Sequence, residues 1–141
     1  MFKKIVVGFD GSEQSYKAFD FALNMSLLCP GASAEITVLS VAQPPEPADI
    51  VEVDAVIDSA TQHYEQLFKE LKEKAKDRNL QIKAEVVAGH PADQIVRYAK
   101  DNKCDMVIVG QTGRSRVGTW LLGSVSKRVS TYSPCTVIIV K

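Results

Sequence analysis

Short apolar runs recur along this chain, and longer stretches with helical spacing separate them. The runs occupy residues 5–9, 35–41, 85–88, 106–109 and 137–140. The first run is apolar without alternation, which is typical of a strand buried on both faces of a parallel sheet. Because parallel strands need long crossovers that cover both faces of the sheet, the pattern predicts an α/β fold. We expect a doubly wound, open parallel sheet of five strands, in the order 3-2-1-4-5, with helices on both faces.

Capping residues and apolar spacing place a helix in each connection. Ser12 is positioned to cap the first helix, which the Pro-Gly pair at residues 30–31 ends. A long second helix with a solvated, charged face is predicted over residues 54–78. Pro91 begins the third helix, and the fourth covers residues 124 to about 131. A proline-rich loop of about a dozen residues precedes the second helix, and its place at the carboxyl end of a strand makes it a candidate lid.

Composition and charge exclude several kinds of protein. The chain has 141 residues, which favours a single domain over residues 1–141. Hydrophobic residues make up 45% and charged residues 24%, as in ordinary globular domains. Seventeen Lys and Arg residues balance seventeen Asp and Glu residues. Without a strong net charge, binding to nucleic acid or to an anionic membrane surface is not expected.

The cysteines and the N-terminal segment both favour a cytoplasmic protein. Cys29, Cys104 and Cys135 are odd in number and form no CxxC pair, which argues against a disulfide framework and against a zinc knuckle. Residues 3–7 imitate the start of a signal peptide, but the apolar run ends at Asp10 and is too short. No stretch of the chain approaches the length of a membrane span.

Two segments place polar groups and glycines where a ligand is expected. Open parallel sheets bind ligands beyond the carboxyl ends of their strands, where the strand order reverses. Asp10 and Ser12 follow the first strand, and the stretch after the fourth strand contains Gly110, Gly113, Gly123 and Ser124. Glycines let the backbone approach a bulky anion, and a helix that starts at Ser124 attracts phosphate.

Structural explanations stay open for the same residues. A turn followed by a capped helix explains the glycines and Ser124 equally well. Asp10 has an alternative role as a cap of the following helix, although its place at the reversal point favours a ligand role. The P-loop pattern GxxxxGK[ST] and the dinucleotide pattern GxGxxG are both missing from the sequence.

Four segments resemble the universal stress protein (UspA-like) family, and together the resemblance covers the whole chain. They are residues 6–12, 89–95, 104–110 and 133–140. The most specific element is Gly-x2-Gly-x9-Gly-Ser/Thr, the signature of the family's ATP-binding branch, which this chain fills without a gap from Gly110 to Ser124. The resemblance implies a Rossmann-like fold that holds ATP together with Mg²⁺ or Mn²⁺.

The resemblance also implies roles for individual residues. Asp10 is similar to the family's acidic contact near the nucleoside or its metal. Ser12, two residues later, is also expected among the nucleotide-binding residues. Val41 resembles the residue whose backbone meets adenine, and Val109 would flank the base or ribose. Backbone or hydroxyl groups of Val125 and Ser126 would contact the phosphates.

Arg114 and the nearby Arg116 are a separate case. Either could clamp a phosphate, and either could equally be a solvated side chain; Arg114 is preferred because it follows Gly113.

The preferred function is an ATP-binding regulatory switch in the stress response. An alternative is a slow nucleotide hydrolase or phosphotransferase that uses Asp10 and Mg²⁺, with Gln111 as a residue able to orient water. A further alternative is a structural partner without a nucleotide. Fast phosphoryl transfer is not expected, because the sequence offers no evident P-loop lysine or arginine finger.

A homodimer is expected through the last strand, residues 137–140, because an apolar edge strand invites pairing with another chain. The family resemblance points the same way. The alternative is a monomer in which Trp120 or the proline-rich loop covers that edge.

Overall fold

The structure is a computed structural model that describes residues 2–28, 34–111 and 123–141. Within these ranges it contains five strands and four helices. In chain order they are β1 (Lys4–Gly8), α1 (Glu13–Leu27), β2 (Glu35–Ala42), α2 (Ile50–Asp77), β3 (Ile82–Ala88), α3 (Pro91–Asp101), β4 (Met106–Gly110), α4 (Ser124–Tyr132) and β5 (Thr136–Val140).

The five strands form one parallel sheet in the order β3-β2-β1-β4-β5. The predicted α/β fold and strand order are therefore confirmed. The order reverses beside the central strand, because β1 has β2 on one side and β4 on the other. The carboxyl ends of β1 and β4 consequently define the crevice in which an open parallel sheet takes a ligand.

Helices cover both faces of the sheet, and each face has its own core. Alternate residues of β1 separate the two cores: Ile5 and Val7 face α1 and α2, and Val6 faces α3 and α4. All three side chains are buried, as is Phe19 of α1. Burying an aliphatic or aromatic side chain of this kind stabilises a fold by roughly 1.5–3 kcal/mol. The continuous apolar run of β1 follows from its place at the centre, where neither face meets water.

The start of α1 is as predicted. The Ser12 hydroxyl oxygen accepts the backbone N–H of Ser15 at 3.2 Å, which satisfies one of the unpaired donors at the helix N-terminus. The helix ends at Leu27. The Pro-Gly pair at residues 30–31 lies outside the described residues.

The start of α2 differs from the prediction. The helix begins at Ile50, not at residue 54, because the Asp49 side chain accepts the backbone N–H of Glu52 at 2.8 Å and caps the first turn. The proline-rich loop is therefore confined to residues 43–49 and is shorter than expected. Among the described helices, none combines the length and the apolar character that crossing a membrane requires.

Candidate functional site

The carboxyl edge of the sheet brings together the first group of predicted site residues. Asp10 follows β1, Val41 lies in the last part of β2, and Val109 and Gly110 end β4. Because β1 separates β2 from β4 and neighbouring strands lie about 4.8 Å apart, the ends of β2 and β4 are about 10 Å apart. A ligand that contacts both ends must lie across the end of β1, beside Asp10.

Asp10 braces the turn that leads from β1 into α1. Its Oδ1 accepts the backbone N–H of Ser12 at 2.9 Å, while Ser12 itself is the residue that caps the helix. Gly11, between them, has a φ of +83°, a backbone conformation that favours glycine. The half-buried Asp10 carboxylate is thereby held at the positive N-terminal end of α1.

Gly110 is required by helix packing. A Cβ at this position would lie 2.6 Å from the Cβ of Gln14 and 2.9 Å from the backbone carbonyl carbon of Gln14. The first turn of α1 therefore passes directly over the end of β4. The sequence left two explanations for this glycine, close approach of a ligand and a structural requirement. Packing against α1 explains it without a ligand.

The N-terminus of α4 presents a group of backbone donors. Gly123 is the capping residue and Ser124 is the first residue of the helix, so the Ser124 hydroxyl is not the cap. The first bond within the helix joins the N–H of Lys127 to the carbonyl oxygen of Gly123 at 3.0 Å. The N–H groups of residues 124–126 precede that bond and point along the helix axis, and the capping residue, a glycine, offers no side chain to accept them. Together with the helix dipole they form an environment that favours an anion.

The Ser126 side chain has a structural role that the sequence did not reveal. It is 2% exposed, and its hydroxyl lies 2.8 Å from the carbonyl oxygen of Gln111 and 3.1 Å from that of Gly123. The hydroxyl thus ties α4 to the end of β4 and faces away from solvent. The expectation of a hydroxyl contact with phosphate is not supported, and only the backbone N–H of Ser126 is placed for that contact.

Three further predicted residues are buried or partly buried. Val109 is 4% exposed and packs into the core beneath α3 and α4, which leaves its backbone to meet a ligand. Val125 packs partly against the same core. Gln111 is 8% exposed, and its N–H donates to the carbonyl oxygen of Val140 at 2.8 Å. That placement does not favour Gln111 as a residue that orients water.

Gly113, Arg114 and Arg116 lie outside the described residues, as does Trp120.

A cavity of about 520 Å³ opens between the end of β2 and the N-terminal half of α2. Its lining consists of Val41, Ala42, Gln43, Val56, Ser59, Ala60, His63 and Tyr64. The lining mixes apolar side chains with the polar side chains of Gln43, Ser59 and His63, and a concave site of this kind can take a small molecule. The residues of α2 were not identified from the sequence as part of a site. Residues 56, 59, 60, 63 and 64 have the spacing of one helix face. A face that packs in the core has the same spacing as a face that lines a cavity, so the sequence could not distinguish the two.

Aromatic rings pack along and behind the α2 wall of this cavity. The Tyr64 ring stacks on Phe68 with centroids 5.5 Å apart and meets Phe9 edge-on at 6.2 Å. His63 lies edge-on to Tyr64 at 4.9 Å. Because Phe9 directly follows β1, these contacts fix α2 against the end of the central strand.

The described residues contain no cluster of three or more side chains able to hold a metal ion by themselves. Asp10 supplies one carboxylate at the carboxyl edge of the sheet, at the end of β1. Magnesium is commonly held by one or two carboxylates together with substrate phosphates, so this arrangement fits a metal that arrives with a nucleotide.

Comparison with known proteins gives one consistent family. The model of the universal stress protein family matches residues 1–141. The universal stress protein YxiE of Bacillus subtilis is 32% identical, with all of both chains covered. The structure of UspA from Lactobacillus plantarum superposes with a TM-score of 0.85 at 23% identity, covering 99% of this chain and 98% of that one. A universal stress protein in complex with cAMP superposes with a TM-score of 0.74 at 26% identity, covering 99% and 97% of the two chains.

Proposed function

The chain belongs to the universal stress protein family, and on that premise we propose that it binds an adenine nucleotide as a regulatory switch in the stress response. ATP with Mg²⁺ or Mn²⁺ is the proposed ligand, and residues 1–141 are the proposed nucleotide-binding domain. A relative of 26% identity is known in complex with cAMP, which supports an adenine ligand.

The observation that carries the proposal is the placement of two complementary features on one edge of the sheet. The N-terminus of α4 offers donors for phosphate, and the cavity at β2 offers both apolar side chains and polar groups for a base. About 10 Å separates the ends of the two strands that position them. A nucleotide laid across the end of β1 joins the two features, with Asp10 beside the ribose or the metal.

A regulatory role is proposed in preference to catalysis. The buried position of Gln111 supports this choice, since a residue that orients an attacking water must reach the phosphates. The proposed setting is the cytoplasm, in keeping with Cys104 and Cys135, which are both free thiols. The proposed partner is a second copy of the chain, bound through β5.

Substitution of the capping residue of α4 tests the nucleotide site. Gly123 has φ −65° and ψ 160°, which any residue adopts, so Gly123→Asp is compatible with the backbone. The new carboxylate should cap α4 and leave the fold as stable as before, or slightly more stable. The same carboxylate competes with phosphate for the N–H groups of residues 124–126 and repels it. We expect affinity for Mg²⁺-ATP, measured by calorimetry, to fall by more than about tenfold.

The exposed Ser130, in the last turn of α4, supplies the matched control. Ser130→Asp makes the same charge change away from the helix N-terminus and should leave ATP affinity close to that of the wild type. Equal affinity in the wild type and Gly123→Asp would contradict the proposed phosphate site. A wild-type protein that binds no adenine nucleotide would contradict the proposed function as a whole.

A further inference from the structure

The lining of the cavity between β2 and α2 combines two kinds of residue. Five of its lining residues are apolar or aromatic, and three carry polar side chains, namely Gln43, Ser59 and His63. The polar residues come from both walls, since Gln43 follows β2 and the other two lie on α2. A flat heteroaromatic ring suits such a space, because its faces pack against apolar side chains while its edge hydrogen-bonds to polar ones.

The α2 wall contributes two polar side chains, His63 and Ser59. His63 lies edge-on to Tyr64 with an interplanar angle of 77°, and Tyr64 is itself buried against Phe68. Ser59 lies one turn earlier on the same helix face, four residues before His63. The second histidine, His90, is the capping residue of α3 and does not line the cavity.

The β2 wall is anchored immediately before Gln43. The carbonyl oxygen of Ala42 accepts the N–H of Gly89 at 2.9 Å, and Ala42 is buried. Gln43 therefore extends from a backbone that is held in place. Its side-chain amide presents a donor and an acceptor side by side. Adenine offers the complementary pair, an N6 amino donor next to the N7 acceptor, and glutamine pairs with both at once.

From this geometry we propose that Gln43 is a specificity-determining residue of the cavity and selects adenine over guanine, with His63 and Ser59 limiting the position of the ring. This inference rests on the proposed nucleotide binding. Guanine carries the O6 acceptor where adenine carries its amino donor, so it leaves the amide of Gln43 mismatched. The apolar side chains of the cavity pack against the face of either purine and do not discriminate.

The test compares ATP, GTP and 7-deaza-ATP, each with Mg²⁺, by calorimetry. Wild type should bind ATP about tenfold more tightly than GTP, the discrimination of one bidentate amide–base pair. It should also bind ATP more tightly than 7-deaza-ATP, which lacks the N7 acceptor. In Gln43→Leu, which keeps the volume and removes the amide, the ATP-to-GTP ratio should approach one and the preference for N7 should disappear. His63→Ala should reduce the ratio to a lesser extent.

His90→Ala is the matched control and should leave both ratios at their wild-type values. Gln43, His63 and His90 are all exposed, so the variants are expected to melt like the wild type, which thermal unfolding checks. The inference is overturned if wild type binds ATP but Gln43→Leu retains its ATP-to-GTP ratio, and equally if wild type has no preference. Failure of the proposed function is a separate result, in which wild type binds none of the three nucleotides.

Discussion

At the scale of single residues, two glycines of the sheet lack room for a side chain, and the obstacles differ. A Cβ at Gly110 would meet the Cβ and backbone of Gln14, at 2.6 and 2.9 Å. A Cβ at Gly8 would meet side-chain tips, Ile95 Cδ1 at 2.9 Å and Val109 Cγ1 at 3.1 Å. A side-chain tip can rotate away, whereas helix backbone must move as a unit.

We therefore expect Gly110→Ala to be the more destabilising of the two substitutions. Overpacking of this kind costs about 1–3 kcal/mol, and Gly110→Ala should fall near the upper end of that range. Gly8→Ala should fall near the lower end. Urea unfolding followed by circular dichroism measures both free energies, and an equal or larger loss in Gly8→Ala would contradict the ranking.

Cys104 makes stability depend on pH in the alkaline range. Burial, with a smaller contribution from the nearby Cys135, raises the pKa of the Cys104 thiol from its ordinary value of 9.0 to about 11. The fold thus favours the neutral thiol. The stabilisation that follows from this raised pKa is fully present below the unfolded-state pKa of the thiol, and it is lost as pH rises from about 9 toward 11.

Between about pH 8 and about pH 10.5, wild type should lose about 1–2 kcal/mol more unfolding free energy than Cys104→Ala does. The quantity compared is the change in unfolding free energy between the two pH values. Cys104→Ala also loses packing in the core, but that loss is the same at both pH values and does not affect the comparison. Burial also raises the pKa of Tyr16, with help from Glu70, but this group is present in both proteins and cancels. Parallel slopes for the two proteins would show that Cys104 does not titrate in this way.

At the scale of elements, the N-terminal half of α2 forms a wall of the cavity, and its first turn depends on one carboxylate. The Asp49 side chain accepts the N–H of Glu52 at 2.8 Å. We expect Asp49→Ala to lower the unfolding free energy by about 1 kcal/mol through loss of this cap. Fraying of the first turn should also weaken nucleotide binding, as measured by calorimetry. Asp58→Ala, an exposed charge on the same half of the helix, is the control and should change neither quantity appreciably.

The same helix shows what the sequence could and could not predict. The strands were predictable because a continuous apolar run indicates burial on both faces, and this signal lies within the strand's own residues. The start of α2 was not predictable, because residues 50–53 are mostly apolar and β-branched. Only the hydrogen bond to Asp49 identifies them as helical. The roles of Gly110 and Ser126 could not be predicted either, because each depends on a contact with a residue elsewhere in the chain. Gly110 packs against Gln14, and Ser126 bonds to Gln111. The cavity depends on which face of α2 lies over β2, which no local pattern encodes.

At the scale of the whole molecule, the two edges of the sheet are unlike. The β3 edge carries the exposed charged residues Lys83 and Glu85, and Lys83 forms a salt bridge with Glu35 of β2. Charged side chains on an edge strand discourage pairing with another chain. The β5 edge has no charged residue from Thr136 to Val140, and four consecutive aliphatic side chains there are only partly buried. The unprotected edge is therefore β5.

The backbone of β5 shows which groups remain for a partner. The carbonyl oxygen of Val140 accepts the N–H of Gln111, and Val140 pairs in register with Gly110 of β4. Because the N–H and C=O of one strand residue point to the same side, Ile138 also bonds toward β4, while Val137 and Ile139 direct their groups outward. A two-fold axis would pair these outward groups with their copies in an antiparallel arrangement.

We accordingly expect a homodimer that Ile139→Pro converts to a monomer, because proline removes an outward donor and is tolerated on an edge strand. Ile139→Ala keeps the N–H and should remain dimeric, which separates the backbone bond from the side chain. Ile138→Pro, in contrast, removes a donor to β4 and should unfold the protein. Sedimentation velocity at micromolar concentration, with circular dichroism to confirm folding, distinguishes these states. A monomeric wild type, or a folded Ile139→Pro that sediments as a dimer, would show that β5 is not the interface.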